Sequence, residues 1–193
     1  MLFRSALGRA VIEETKSLQP VQAAALRIRS LRIPLPLEPL PPVDEAQRRL
    51  LAERDRLSNI LGRGEDKAEV TRRRLMVDSA SQLVQMASQA QGAPSLELEV
   101  QGIALGRAAL IGLSAEPFAE YEKLLLQLSP FPHTFPISCA NGNIGYLPTA
   151  SAFAEGGYEI ETAPYLHGVL RLRPEVESVI HQAFARLLVE LAE

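Results

Sequence analysis

The chain changes period between Leu96 and Leu113, and that change dictates a sheet. Leu96, Leu98 and Val100 alternate with Glu97, Glu99 and Gln101, the two-residue repeat of a strand with one face in a core and the other in water. Ile103 to Gly106 follows. Ala108 to Leu113 is then almost continuously apolar, as in a strand buried on both faces. The two runs read as a hairpin or a bulged strand pair. With 193 residues, 47% of them hydrophobic, the chain can bury such a strand in one globular core.

Upstream, residues 23–37 carry a second alternation. Leu26 and Ile28, then Leu31, Ile33, Leu35 and Leu37, are interleaved with Arg27, Arg29 and Arg32. This is a half-buried strand, or two with a bend between. Pro34 to Pro42 is proline-rich, hence extended, as a sheet edge or linker. Between the alternating regions the repeat becomes helical. Asp44 caps a helix that runs to about Leu61, Gly62 and Gly64 supply a break, and a second helix runs from about Asp66 to Gln91. The result is a helical hairpin over about 43–92, inserted between strands. Gly92-Ala93-Pro94 marks its end.

Helices are also predicted at residues 6–18, with Leu7, Val11 and Ile12 on one face and Pro20 ending the segment. Others fall at 116–128 and from about Pro174 to Ala192, where Val176, Ile180, Phe184, Leu187 and Leu191 make a buried stripe. A short strand is expected near 134–139. The fold class is α/β: a mixed sheet with flanking helices and a long helical hairpin.

Composition narrows function. Charged residues make up 22% and the net charge is −3. There is no dominant basic face and little aromatic content, so a nucleic-acid partner is not expected. Arg48, Arg49, Arg54, Arg72, Arg73 and Arg74 alternate with acids, as on a solvated helix face. No apolar run is long enough to cross a bilayer. The N-terminus lacks the layout of a signal peptide. It also runs directly into helical sequence, which leads us to expect a partial domain. The single cysteine, Cys139, excludes an intrachain disulfide and reads as a small buried residue.

Two segments carry candidate chemistry. Ile111 to Phe118 ends a buried strand in a carboxylate, Glu116, at a strand-to-helix junction. That place suits either a helix cap or a functional group. Asn141-Gly142-Asn143-Ile144-Gly145-Tyr146-Leu147-Pro148-Thr149 and Phe153 to Glu159 put glycines beside Tyr146 and Tyr158. Those phenols are packing residues, metal ligands or hydrogen-bond donors to an oxyanion. His133, His167 and His181 form no metal-spaced pair.

In order and spacing, Ile111 to Tyr165 resembles the neutral, non-lysosomal ceramidase family and its short bacterial relatives. There a buried strand ends in Pro-Gly-Glu, followed by a pattern like Asn-x-x-x-Gly-Tyr-x-x-Thr and then Tyr-Glu. The resemblance implies that Glu116 and Tyr146 bind zinc and that Tyr158 contacts the substrate amide. In this chain Ser114-Ala115 replaces Pro-Gly, Asn143 stands where those enzymes have another tyrosine, and Pro148 replaces a threonine.

The family's two histidine ligands and serine nucleophile precede the region that matches. The chain is therefore expected to be the C-terminal portion of a zinc-dependent amidohydrolase, acting on an N-acyl amide or lipid, possible ceramide included, and inactive alone. Its expected partners are a missing N-terminal half or a second copy by self-association. The alternative is a non-catalytic structural or partner-binding module with the same fold.

Overall fold

The alternating segments pair as their period requires. The computed structural model describes residues 2–18, 25–63, 66–90 and 94–193. Pro20, Gly64, Gly92 and Ala93, to which the sequence assigned breaks, lie outside the described residues, as does the start of the 23–37 segment. In chain order the elements are α1 (Leu2–Thr15), β1 (Leu26–Pro34), α2 (Val43–Arg63), α3 (Lys67–Gln89), β2 (Glu97–Leu105), β3 (Ala108–Leu113), β4 (Glu116–Pro117), α4 (Glu120–Leu128), β5 (His133–Ile137), β6 (Tyr146–Leu147), the short helices α5 (Ala152–Glu155), α6 (Tyr158–Glu161) and α7 (Ala163–Leu166), and α8 (Val176–Ala192).

The main sheet has the order β1-β2-β3-β5, and β4 and β6 form a separate two-stranded ladder. β1–β2 and β2–β3 are antiparallel, whereas β3–β5 is parallel. The sheet is therefore mixed, with helices flanking it. The parallel pair needs a crossover, and α4 provides it.

β1 is one unbroken strand, paired along its whole length from Leu26↔Leu105 to Pro34↔Glu97. No bend is needed to accommodate the shift in apolar phase. Leu31 and Ile33 face the core, and Leu26 and Ile28 lie on the opposite face, in solvent. The run Ala108–Leu113 is likewise less buried than its composition suggests. Ile111 and Leu113 are buried, but Leu110 is 40% exposed. β2 and β3 form a hairpin whose turn is Gly106-Arg107, with Gly106 at φ 58°. Glycine takes that conformation without Cβ strain.

The inner sheet face, with Leu31, Leu98, Val100, Ala104, Ala109, Ile111 and Leu113, is covered by α8. All five residues of the expected α8 stripe are buried. Gly102 is where helix and sheet approach most closely: a Cβ there would lie 2.8 Å from Leu191 Cδ2. Phe184 meets Tyr121 of α4 edge-on, with ring centroids 6.5 Å apart.

The helical hairpin sits between β1 and β2 in chain order and has its own small core. Ala46 and Leu83 pack there with Tyr165 and Leu170. The proline-rich segment after β1 is extended as predicted. It pairs with residues 171–173 through Glu38 N–H to Arg171 O (2.8 Å) and Arg173 N–H to Pro36 O (2.9 Å). Asp44 lies inside the first turn of α2 rather than capping it. Its carboxylate accepts from Arg48 Nη1 at 2.7 Å, while Ala46 N–H bonds Pro42 O. Gly62 remains helical, as glycine near a helix end readily does. Five of the hairpin's arginines, Arg48, Arg49, Arg56, Arg72 and Arg73, are paired with acids, Glu69 accepting from both Arg72 and Arg73. No helix among the described residues is long and apolar enough to cross a membrane.

Candidate functional site

Glu116 is not a helix cap. Helix α4 begins only at Glu120, behind Ala119, because Glu116 and Pro117 continue as β4 and pair in parallel with β6. The register sets Glu116 directly beside Tyr146. Glu116 N–H donates to Gly145 O at 2.9 Å, and Phe118 N–H to Leu147 O at 3.1 Å. Two residues 30 positions apart in sequence thus become lateral neighbours on one ladder, whose side chains share a face.

The loop between β5 and β6 secures this ladder. Cys139 N–H donates to Ala115 O (2.9 Å), Ala140 N–H to Leu113 O (2.8 Å) and Ile144 N–H to Ser114 O (2.9 Å). Cys139 and Asn141 take positive φ, 55° and 62°. Cys139 is exposed rather than buried, because its strained position at the loop's turn carries the side chain away from the core. Ser114, in place of the family's proline, is buried, and its hydroxyl accepts from Glu99 N–H at 3.0 Å. Ala115 is buried and is not among the positive-φ residues, so its Cβ does not strain the approach to Glu116.

Asn143 orients the carboxylate. Its amide Nδ2 donates to Glu116 Oε1 at 2.7 Å, and its Oδ1 accepts from Gly145 N–H at 2.8 Å. The second bond is an Asx turn, and Asn-x-Gly is its sequence signal. In the sequence Asn143 stands out only as a departure from the pattern that Ile111 to Tyr165 resembles. Gly145, at φ 98°, also has to be glycine: a Cβ there would press on the His167 ring at 3.4 Å. The exposed His167 therefore lies close behind the ladder.

The electrostatics follow from this geometry. The Glu116 charge is the main reason the Tyr146 hydroxyl is held above its ordinary value, followed by partial burial and the hydrogen bond to Glu116; Tyr158 and Glu159 add to it. Near pH 7 Tyr146 is a neutral phenol beside a carboxylate. Tyr158 completes the cluster from the start of α6. Its ring lies edge-on to Tyr146, with centroids 6.3 Å apart at 74°. It also lines a cleft of about 210 Å³ with Leu75 and Met76 of α3.

Structure thus brings Glu116, Tyr146 and Tyr158 together, with Asn143 added. It does not bring the three histidines to one place. His133 and His181 belong to β5 and α8, and both are exposed. Among the described residues no group of three or more His, Cys, Asp or Glu could hold a metal ion. Glu116 and Tyr146 supply two oxygen donors, fewer than the three protein ligands a catalytic zinc takes. Glu116 Oε1 is also already engaged by the Asn143 amide. This chain's described residues do not make a zinc site by themselves.

No family model matches the chain, and no curated protein matches it. Among solved structures, a neutral ceramidase from Pseudomonas aeruginosa is similar over 87% of this chain, with 16% identity and a TM-score of 0.49. A ceramidase complexed with C2 is similar over 50%, with 20% identity and a TM-score of 0.42. The chain spans 28% and 15% of those two proteins, respectively.

Proposed function

We propose that the Glu116–Tyr146–Tyr158 cluster is the C-terminal part of a zinc-dependent amidohydrolase site, acting on an N-acyl amide such as ceramide. The observation that carries this reading is the ladder that sets Glu116 beside Tyr146 with Tyr158 against it. The sequence resemblance places these same three residues in one site. The remaining metal ligands and the nucleophile would come from polypeptide outside this chain, which alone would be inactive. Zinc in the complete site would act as a Lewis acid toward the amide carbonyl.

Within this chain the roles are positional. Asn143 holds the Glu116 carboxylate toward Tyr146. Tyr158, about half exposed, presents a hydroxyl where charge on a carbonyl oxygen would develop. The cleft beside it, walled by Leu75 and Met76, offers an apolar surface to an acyl chain. The test is zinc content and N-acyl amide hydrolysis of the complete protein, with and without Glu116→Ala. Loss of both is expected. Unchanged zinc and unchanged hydrolysis would remove the assignment.

A second reading rests on the internal contacts of the same residues. Glu116 accepts from Asn143 and sits beside Tyr146 on the ladder, so the cluster is also a self-contained clasp between β4 and β6. In that case the chain is a non-catalytic structural or partner-binding module. Recovery of this chain from cells, folded and free of zinc with a stoichiometric protein partner, would favour that reading.

A further inference from the structure

Among the described residues α8 covers one face of the main sheet, and on the other the 138–145 loop covers only the end at Gly112, where Ala140 packs and Asn141 Nδ2 reaches Glu99 and Gln101. The sheet's outer face is set by register: Leu26, Leu105, Ala108 and His133 form one row, Ile28, Ile103, Leu110 and Phe135 the next, and Ser30, Gln101, Gly112 and Ile137 a third. Six of these side chains, Leu26, Ile28, Leu105, Leu110, Phe135 and Ile137, are 40–61% exposed. They are contiguous across four strands. Isolated surface leucines are ordinary, but a continuous apolar face marks a contact surface.

We infer that this face is the dimerisation surface of the chain, packing against the same face of a second copy in a two-sheet sandwich. Three observations select that occupant. First, the rows that begin at Leu26 and Ile28 hold no lysine, arginine, aspartate or glutamate, so two copies meet there without like-charge repulsion although the chain carries a net charge of −3.

Second, the edges of the sheet discourage the other mode of self-association. β1 carries Arg27, Arg29 and Arg32, and β5 carries Pro136, which has no N–H to donate. Arginines and proline blunt edge-to-edge pairing. What remains available is the face.

Third, the area suffices. Six large side chains, each about half exposed, leave on the order of 500 Å² of apolar surface per copy. A pair would bury about 1,000 Å² of it. The rim of Ser30, Ile103, Ala108 and His133 takes the total to about 1,200 Å², where stable interfaces begin. Two-fold symmetry lets one patch serve as both partners. Aligned sheets about 10 Å apart interdigitate such rows.

The experiment is sedimentation velocity of the 193-residue chain over a wide concentration range, compared with Ile28→Glu and Phe135→Glu. Both positions are about half exposed, so a carboxylate there leaves the inner core intact, and circular dichroism checks the fold. The parent chain is expected to be a dimer, and each variant a monomer with self-affinity at least tenfold weaker. Leu7→Glu in α1, also exposed, is expected to leave the dimer unchanged.

A spin label on the single, exposed Cys139 provides a measurement without any face substitution. It should report one defined distance between copies. A parent chain that is monomeric throughout would overturn the inference, whether α1 or another protein covers the face. So would a dimer indifferent to both face variants, or one broken by Leu7→Glu instead. A broad spread of label distances would show non-specific clustering and overturn it too.

Discussion

Replacing Gly112 by alanine tests whether the loop that presents the site is held by close packing on β3. A Cβ at position 112 would lie 2.7 Å from the Ala140 Cβ, about 1 Å inside normal carbon–carbon contact. Neither atom can rotate away, because both are fixed to backbone. The 138–145 loop must lift, and it is tied to β3 and its extension by Ala140 N–H to Leu113 O and Cys139 N–H to Ala115 O.

Overpacking costs about 1–3 kcal/mol, and each weakened backbone bond adds about 0.5–1.5 kcal/mol. Reduced freedom of the unfolded chain returns about 0.4–1 kcal/mol. With both bonds weakened, the middle of each range gives a net loss of about 3 kcal/mol, a fall in melting temperature of about 6–12 °C for a chain of this size. Thermal unfolding followed by circular dichroism reads it. Ala140→Gly removes the opposing Cβ, so the double variant should recover about 2 kcal/mol of the loss as coupling between neighbours. A Gly112→Ala protein that melts with the parent would refute the reasoning, as would a double variant no better than the single.

Other outcomes follow from the same contacts. Glu116→Gln keeps the shape of the side chain and removes its charge, so Tyr146 should lose its proton at lower pH than in the parent; ultraviolet titration of the phenolate would show it, and an unchanged curve would separate the two groups. Tyr121 is buried, donates to Pro148 O at 3.0 Å, and is held well above its ordinary value of 10 by burial, then by the Glu177 charge. The folded chain therefore binds this proton more tightly than the unfolded one, and the stability it confers is complete below about pH 10 and is lost as pH rises further. Tyr121→Phe should flatten that alkaline loss only in part, because Tyr165, also raised by burial, retains its share; equal slopes would contradict the assignment. Phe184→Ala should cost about 3–5 kcal/mol by opening the core between α8, α4 and the sheet, read as a lower urea midpoint.

Much of this fold is legible in the sequence because period reports burial directly. The α8 stripe, the helical hairpin, the β2–β3 hairpin and the short β5 all follow from spacing and turn residues. The shift of phase within β1 is legible as well, but not its meaning. A bend and an uncovered outer face predict the same letters. Leu110 shows the same limit: a continuous apolar run records what a residue tolerates, not which layer is present to cover it. Asp44 and Gly62 were read by local propensity, and the hydrogen bond from Ala46 to Pro42 and helical continuity outweighed it.

The candidate site divides in the same way. Residue types and intervals leave Glu116, Tyr146 and Tyr158 open between structural and functional readings, and it is the likeness of their order to a known family pattern that joins them in one site. Only the tertiary structure decided that Glu116 belongs to a strand, that Asn143 orients it, and that Cys139 faces solvent. Each of those facts depends on a contact between segments about 20 to 45 positions apart in the chain. Local periodicity carries no information about such contacts: the free energy that sets them is gained only when β3, the 138–145 loop and β6 close on one another.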